Sequence, residues 1–230
     1  MKHDARTMRI TVTRNGPYLV TGSVPLSEQT IGTDAKGQSQ SWIGKDLPAT
    51  GAKFALCRCG HSGHKPFCDG THAKIGFDGT EVAARTPYLE RAKEYDGPEL
   101  ALLDVESLCA FARFCDPNGQ VWNEVADTAD PDVRQTFVNQ VGRCPSGRLV
   151  AWNRERGTPI EPELEPSIGL IEDPVEGCAG PIWVRGGIAV VSADGEQYEV
   201  RNRMTLCRCG ASSNKPFCDG THASIKFQAK

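Results

Sequence analysis

The stretch CRCGHSGHKPFCDGTH, Cys57 to His72, returns 150 residues later as CRCGASSNKPFCDGTH, Cys207 to His222. Over residues 57–77 and 207–227, sixteen of twenty-one positions are identical, including every Cys and the final His. The duplication extends upstream. GPYLVTGSVPL (residues 16–26) aligns with GPIWVRGGIAV (180–190), sharing Gly16/Gly180, Pro17/Pro181, Val20/Val184 and Gly22/Gly186. Each copy reads as two or three strands running into a loop. A chain built this way is a split repeat.

Ten Cys in 230 residues need an explanation. MKHDARTMRITVTRNG at the N-terminus lacks the apolar core of a secretory signal, and no apolar run approaches the roughly 20 residues that span a bilayer. The expectation is a soluble, cytoplasmic protein whose thiols serve as metal ligands or reactive groups rather than disulfides. A net charge of −3 offers no footprint for nucleic acid or an anionic membrane.

Each copy presents C-x-C-x8-C-x3-H: Cys57, Cys59, Cys68 and His72, then Cys207, Cys209, Cys218 and His222. Three thiolates and one imidazole suit tetrahedral zinc or an iron–sulfur cluster. Zinc fingers usually open with ligands two to four residues apart. A single intervening residue lets Cys57 and Cys59 grip one iron of a cluster from an extended segment, leaving Cys68 and His72 for a second. Gly60 and Gly70 permit close backbone approach, and Pro66 stiffens the approach to Cys68. Asp69 and Asp219 are placed to cap a helix beginning near the His. Ser62 and Ser212 can donate toward cluster sulfurs. His61 and His64, which become Ala211 and Asn214 in the second copy, read as loop residues or as tuning groups. Lys65 and Lys215 are either solvated or face an acidic partner.

These residues resemble the CDGSH (mitoNEET-like) iron–sulfur family, whose pattern C-x-C-x2-S/T-x3-P-x-C-D-G-S/A/T-H both copies match throughout, with Thr71 and Thr221 in the variable slot. The resemblance implies one 2Fe-2S cluster per motif, held by three Cys and one His. Family members with one motif pair as homodimers that share a β-cap over two clusters. A chain with two motifs would make that dimer internally, as a monomer with a pseudo-twofold axis. No membrane anchor is expected from the sequence, so an organelle-surface location is not expected to carry over.

Between the copies lies different material. PELALLDVESLCAFARFC is expected to be helical, with Val105, Leu108, Cys109 and Ala112 on one face. In DPDVRQTFVNQVG, Asp130 stands as N-cap, Pro131 follows at the first position, and Gly142 would end the helix. SEQTIGTDAKGQSQSWIGKDLPATG reads as a polar surface loop. IAVVSADGEQYEVRNRMTL reads as a hairpin about Asp194–Gly195. GTPIEPELEPSIGLIEDPVEG reads as a Pro- and Glu-rich linker. LCAFARFC followed by CPSGRL resembles the divergent single-cluster 4Fe-4S ferredoxin domain, with Ala112 in the place of one Cys. Cys109, Cys115 and Cys144 therefore either hold a third cluster (3Fe-4S, or 4Fe-4S completed by Cys178) or are buried thiols.

The expected organisation is α+β, mainly β: a first CDGSH unit at 8–79, a ferredoxin-like insert at 80–156, a linker at 157–179 and a second unit at 180–230. No Gly-rich phosphate loop, Ser–His–Asp group or spare His pair suggests an enzyme. The expected role is one-electron transfer to a redox partner protein. The alternatives are cluster transfer to an apo-acceptor, redox or pH sensing, and a zinc-stabilised structural module.

Overall fold

A computed structural model of the chain describes residues 5–229; His3 and Lys230, the last residue of the expected second unit, lie outside them. The described residues are mixed α/β and mainly β. In chain order the strands are β1 Arg9–Val12, β2 Tyr18–Thr21, β3 Leu26–Thr33, β4 Ser39–Asp46, β5 Lys53–Leu56, β6 Lys93–Asp96, β7 Leu100–Asp104, β8 Leu149–Asn153, β9 Thr158–Ile160, β10 Ser167–Asp173, β11 Cys178–Arg185, β12 Ala189–Val191 and β13 Arg203–Leu206. The α-helices are α1 Thr71–Lys74, α2 Tyr88–Arg91, α3 Val121–Glu124, α4 Pro131–Gly142 and α5 Thr221–Ser224.

Three sheets organise these elements, in the orders β12-β1-β2-β5, β13-β11-β10-β3-β4 and β6-β7-β8-β9. The first two sheets each mix strands from both copies of the repeat. In the first, Ile10 pairs antiparallel with Val20 and parallel with Val190. In the second, Ile168 pairs antiparallel with Val184 and parallel with Leu26. Tyr18 faces Leu56 as Ile182 faces Leu206. Aligned residues thus meet aligned partners, and in each sheet one partner is lent by the other copy. The inner faces meet in a shared core that includes Ile10, Val20, Leu26, Ile168, Val184 and Val190.

Several elements differ from the sequence-based expectation. The 157–179 stretch is not a linker, because it supplies β9, β10 and the start of β11. Pro166 and Pro174 bracket β10 without entering it, which is where a strand tolerates proline. Ile168 and Leu170 enter the shared core, while Ile171 packs with Ile31 and Trp183 in a separate cluster. The polar 27–51 excursion is not a loop but carries the β3–β4 hairpin, closed by Asp34 Oδ1 accepting from the Lys36 and Gln38 amides at 2.8 and 2.9 Å. Its polarity has a place: β4 is an exposed edge carrying Lys45 and Asp46.

LALLD is strand β7 rather than helix. Leu100 and Leu102 pack on α3 and α4, while Leu103 faces the shared core. Burial on both faces produces a continuous apolar run with no readable period. The Asp194–Gly195 turn closes through Ser192, and Val191–Gln197 and Tyr198–Val190 link across it, but no strand follows before β13 and β12 pairs with β1 instead. Helix α4 forms as its signals require, with Asp130 Oδ1 accepting from the Asp132 and Val133 amides at 2.8 and 3.3 Å.

Candidate metal centres

β5 and β13 each deliver a cysteine loop by the same device. The Cys57 amide donates to Pro66 O and the Cys68 amide to Ala55 O; the Cys207 amide donates to Pro216 O and the Cys218 amide to Thr205 O. Each loop is thereby clamped to its own strand at two points. Cys57 Sγ lies 3.8 Å from Cys59 Sγ, and Cys68 Sγ lies 3.3 Å from His72 Nδ1. The second loop repeats both distances, at 3.8 Å for Cys207–Cys209 and 3.3 Å for Cys218–His222. Two thiolates on one tetrahedral metal, at about 2.3 Å each, stand about 3.8 Å apart. Among the described residues no three His, Cys, Asp or Glu side chains close on a single ion. The eight residues form four close pairs, and in the two Cys–Cys pairs the spacing is that of two thiolates on one tetrahedral metal.

The loops hold these pairs with identical internal bonds. Ser62 Oγ donates to Phe67 O at 2.6 Å and Ser212 Oγ to Phe217 O at 2.7 Å, so neither serine points its proton at a sulfur as the sequence suggested. That role falls to backbone: the Gly70 and Gly220 amides donate to Cys68 and Cys218 Sγ at 3.4 Å. Asp69 stands one residue before the cap position, Gly70, and ties the loop together by accepting from the Gly63 and Thr71 amides at 2.8 and 3.0 Å. Asp219 does the same from Ser213 and Thr221. With the Thr71 side chain, these bonds hold the Asp69 carboxyl well below the usual carboxylate range; against partial burial, the matching bonds draw Asp219 down to about 2. His61 and His64 are exposed; His61 Nδ1 donates to Cys59 O at 2.7 Å.

The two loops touch. A Cβ on Gly60 would lie 2.4 Å from the Cys209 carbonyl oxygen, and one on Gly210 would lie 2.4 Å from that of Cys59. Each loop's glycine is the seat for the other loop's second cysteine. Tyr18, fully buried, crosses the same boundary by donating to Cys207 O at 2.9 Å and Pro216 O at 3.0 Å. Its counterpart Ile182 carries no hydroxyl, so nothing in the repeat alignment reveals this bond.

Burial separates the sites. Cys68 and His72 are half-buried, whereas Cys218 is buried and His222 is 3 % exposed. The middle segment accounts for this: Asn214 Nδ2 donates to Ser107 O at 2.8 Å, and Gly220 abuts the Cys109 carbonyl and Phe111. Arg113 grips the buried Asp173 at 2.7 Å, and both lie near His222. Burial pushes the His222 pKa down to about 4, leaving a neutral imidazole, the form that ligates a metal. Cys207 is drawn down to about 6 by the Cys209 thiol and nearby amides, while burial pushes the Cys218 thiol up. A bound cation would supply the charge that makes such buried thiolates favourable.

Cys109, Cys115 and Cys144 line one small cavity of about 30 Å³, with Phe111, Arg148 and Pro145 among its walls. Cys178 does not join them. It begins β11, with Asp173, Lys226, Glu176 and Arg113 as its charged neighbours, so the suggestion that it completes a set of four is not met.

Residues 15–73 and 179–223 match the family described as iron-binding zinc finger, CDGSH type. Residues 95–154 match the divergent 4Fe-4S mono-cluster family. No curated protein and no solved structure matches the chain. The donor sets and the family matches together define an iron–sulfur protein. It is of the tandem CDGSH form, with a divergent 4Fe-4S region inserted between the two motifs. No helix among the described residues is long and apolar enough to cross a membrane.

Proposed function

We propose that this chain is a one-electron carrier holding two 2Fe-2S clusters, one in each loop. Cys57 and Cys59 would hold one iron and Cys68 and His72 the other; Cys207, Cys209, Cys218 and His222 would act alike in the second loop. The observation that carries this reading is the fourfold pairing at 3.8 and 3.3 Å. When bound, such a group supplies reversible uptake of one electron without breaking covalent bonds to substrate.

The chain's own residues then do three things. The glycine amides lay partial positive charge on the Cys68 and Cys218 sulfurs, easing accumulation of negative charge. The doubly clamped loops keep the donors in place, so little reorganisation accompanies a change of charge. The strand exchange and the reciprocal Gly60–Cys209 and Gly210–Cys59 contacts support a pseudo-twofold β-cap within a single chain. On this reading 8–79 and 180–230 are the paired units and 80–156 is the insert. All ten cysteines are free thiols, which suits a reducing compartment such as the cytoplasm. The half-buried first site is the face we assign to a redox partner protein. Its exposure also favours a second reading, in which the first site hands a cluster to an apo-acceptor.

The cavity shared by Cys109, Cys115 and Cys144 favours a third cluster of the 3Fe-4S type, matching three thiolates to three irons. The ligand assignment is tested by His72→Cys and His222→Cys. Imidazole ligation raises potentials relative to thiolate, with two-His centres far above plant-type clusters at roughly −400 mV. Each variant is expected to lower the potential of one cluster and leave the other in place. Potentials unchanged in both variants by protein-film voltammetry would remove the histidines from the ligand sets.

A further inference from the structure

The two cysteine loops make the same bonds inside but not outside. On the second loop, the middle segment takes up the outer groups. The Val82 and Ala83 amides both donate to Lys215 O, at 2.8 and 3.0 Å. Asn214 Nδ2 donates to Ser107 O at 2.8 Å. The Cys109 carbonyl oxygen and Phe111 Cβ lie 3.4 and 3.5 Å from the Cβ position of Gly220. Phe217 is 8 % exposed and meets the Tyr198 ring edge-on at 5.0 Å.

The first loop presents the same groups bare. Among the described residues no donor reaches Lys65 O, and nothing stands within 4 Å of the Gly70 Cβ position. His64, in the place of Asn214, is exposed. Phe67 is 37 % exposed, and Ile75, just past α1, is exposed as well. These groups flank Cys68 and His72, the half-buried donor pair.

Charge follows the same division. Lys215 Nζ donates to Ser212 O at 2.8 Å, and Lys226 pairs with Glu176 at 3.2 Å. Lys65 and Lys74, on either side of the Cys68–His72 pair, have no ion pair among the described residues. The one carboxylate between residues 57 and 77, Asp69, is tied to the Gly63 and Thr71 amides, with His64 3.8 Å away. A basic face with apolar contacts therefore surrounds the first donor pair, in a chain whose net charge is −3.

We propose that this face is the docking surface for a small acidic electron-transfer protein, which covers the first loop as the middle segment covers the second. The partner's carboxylates would meet Lys65 and Lys74, its backbone amides Lys65 O, and its apolar surface Phe67 and Ile75. The net negative charge of the chain would turn such a partner away elsewhere, so encounter is steered to this loop. The inference rests on the reading of the first loop as a redox site, because the docked partner would stand over Cys68 and His72. Contacts of this kind are small and screened by salt.

The test is titration calorimetry of the full, iron-loaded chain with an acidic plant-type ferredoxin, and with a basic c-type cytochrome as the counter-probe. The ferredoxin is expected to bind with Kd below about 100 μM at about 20 mM salt, and at least about tenfold more weakly at about 300 mM. The cytochrome should bind at least about tenfold more weakly than the ferredoxin at low salt. The double variant Lys65→Glu/Lys74→Glu should weaken ferredoxin binding at least about tenfold and Phe67→Ser about fivefold, while Lys215→Glu on the covered loop changes it less than about twofold. No ferredoxin heat at about 1 mM, tighter binding of the cytochrome, or a Lys215→Glu effect equal to that of the double variant would overturn the proposal. So would self-association of the chain that Phe67→Ser abolishes, which would give the face to a second copy. If Phe67→Ser does not fold, the exposed lysine variants decide between the same results. The absorption spectrum of each sample separates the two readings: a coloured chain that leaves ferredoxin unbound sinks the docking surface alone, whereas a colourless chain sinks the redox site and the docking surface together.

Discussion

Gly60→Ala is expected to strip iron from both loops, although it lies in only one of them. Gly60 has φ +78°, a conformation that costs a residue with a Cβ about 1–2 kcal/mol. The added methyl would also lie 2.4 Å from the oxygen and 2.8 Å from the carbon of the Cys209 carbonyl. Those atoms are backbone and cannot rotate aside, so the second loop must shift, at a further cost of about 1–3 kcal/mol. Gly210→Ala should act in mirror fashion through Cys59. Gly70→Ala is the control, because Gly70 has φ +85° but nothing within 4 Å of its Cβ position. It bears the conformational cost alone. Iron per chain and melting temperature are the readouts. Gly60→Ala should lose more than half of the iron bound by the two loops and fall below Gly70→Ala in stability. Equal behaviour of the two variants would mean that the loops do not depend on each other.

Arg203→Met is expected to destabilise the chain by about 3–5 kcal/mol, a large part of the 5–15 kcal/mol typical of a folded domain. The Arg203 side chain is wholly buried, and its five donors are all used. Nε and Nη2 fork onto Glu161 at 2.7 and 2.8 Å, and Nη2 also reaches Leu149 O at 3.2 Å. Nη1 gathers the carbonyls of Val141, Gly142 and Cys144, where α4 ends and the insert's last cysteine begins its turn. One side chain on β13 thus holds the end of a helix, its dipole and a cysteine of the middle segment. Methionine fills the volume but removes the guanidinium from four carbonyls and from Glu161, to which Asn202 Nδ2 still donates at 3.1 Å. Arg203→Lys should recover little, since an ammonium cannot reproduce the fork. The measurement is the urea unfolding free energy. A loss under about 1 kcal/mol would show that the middle segment is held by apolar contact alone.

The cysteine loops were legible in the sequence because their constraints are local: spacing, glycines and proline all act within sixteen residues. The Asp130-capped helix was legible for the same reason. β10 and β7 were not, because a strand buried on both faces has no alternation to read, and the prolines around β10 read as linker composition. The β3–β4 hairpin was obscured by its polar edge. What joins the two loops was also hidden. The Tyr18 hydroxyl reaches Cys207 and Pro216 across nearly the whole chain, and Arg203 finds its partners only once β13 and α4 are in place. The repeat signalled that two sites exist, but its aligned positions could not signal their unequal burial, since that is imposed by a segment with no counterpart in the repeat.

The measurement that bears most directly on the account is iron, acid-labile sulfide and zinc per chain, on protein purified without oxygen, together with its absorption spectrum. The paired donors predict about four iron and four sulfide from the two loops, rising to about seven iron and eight sulfide with the insert loaded, and no zinc. A colourless chain carrying about two zinc and no sulfide would contradict it.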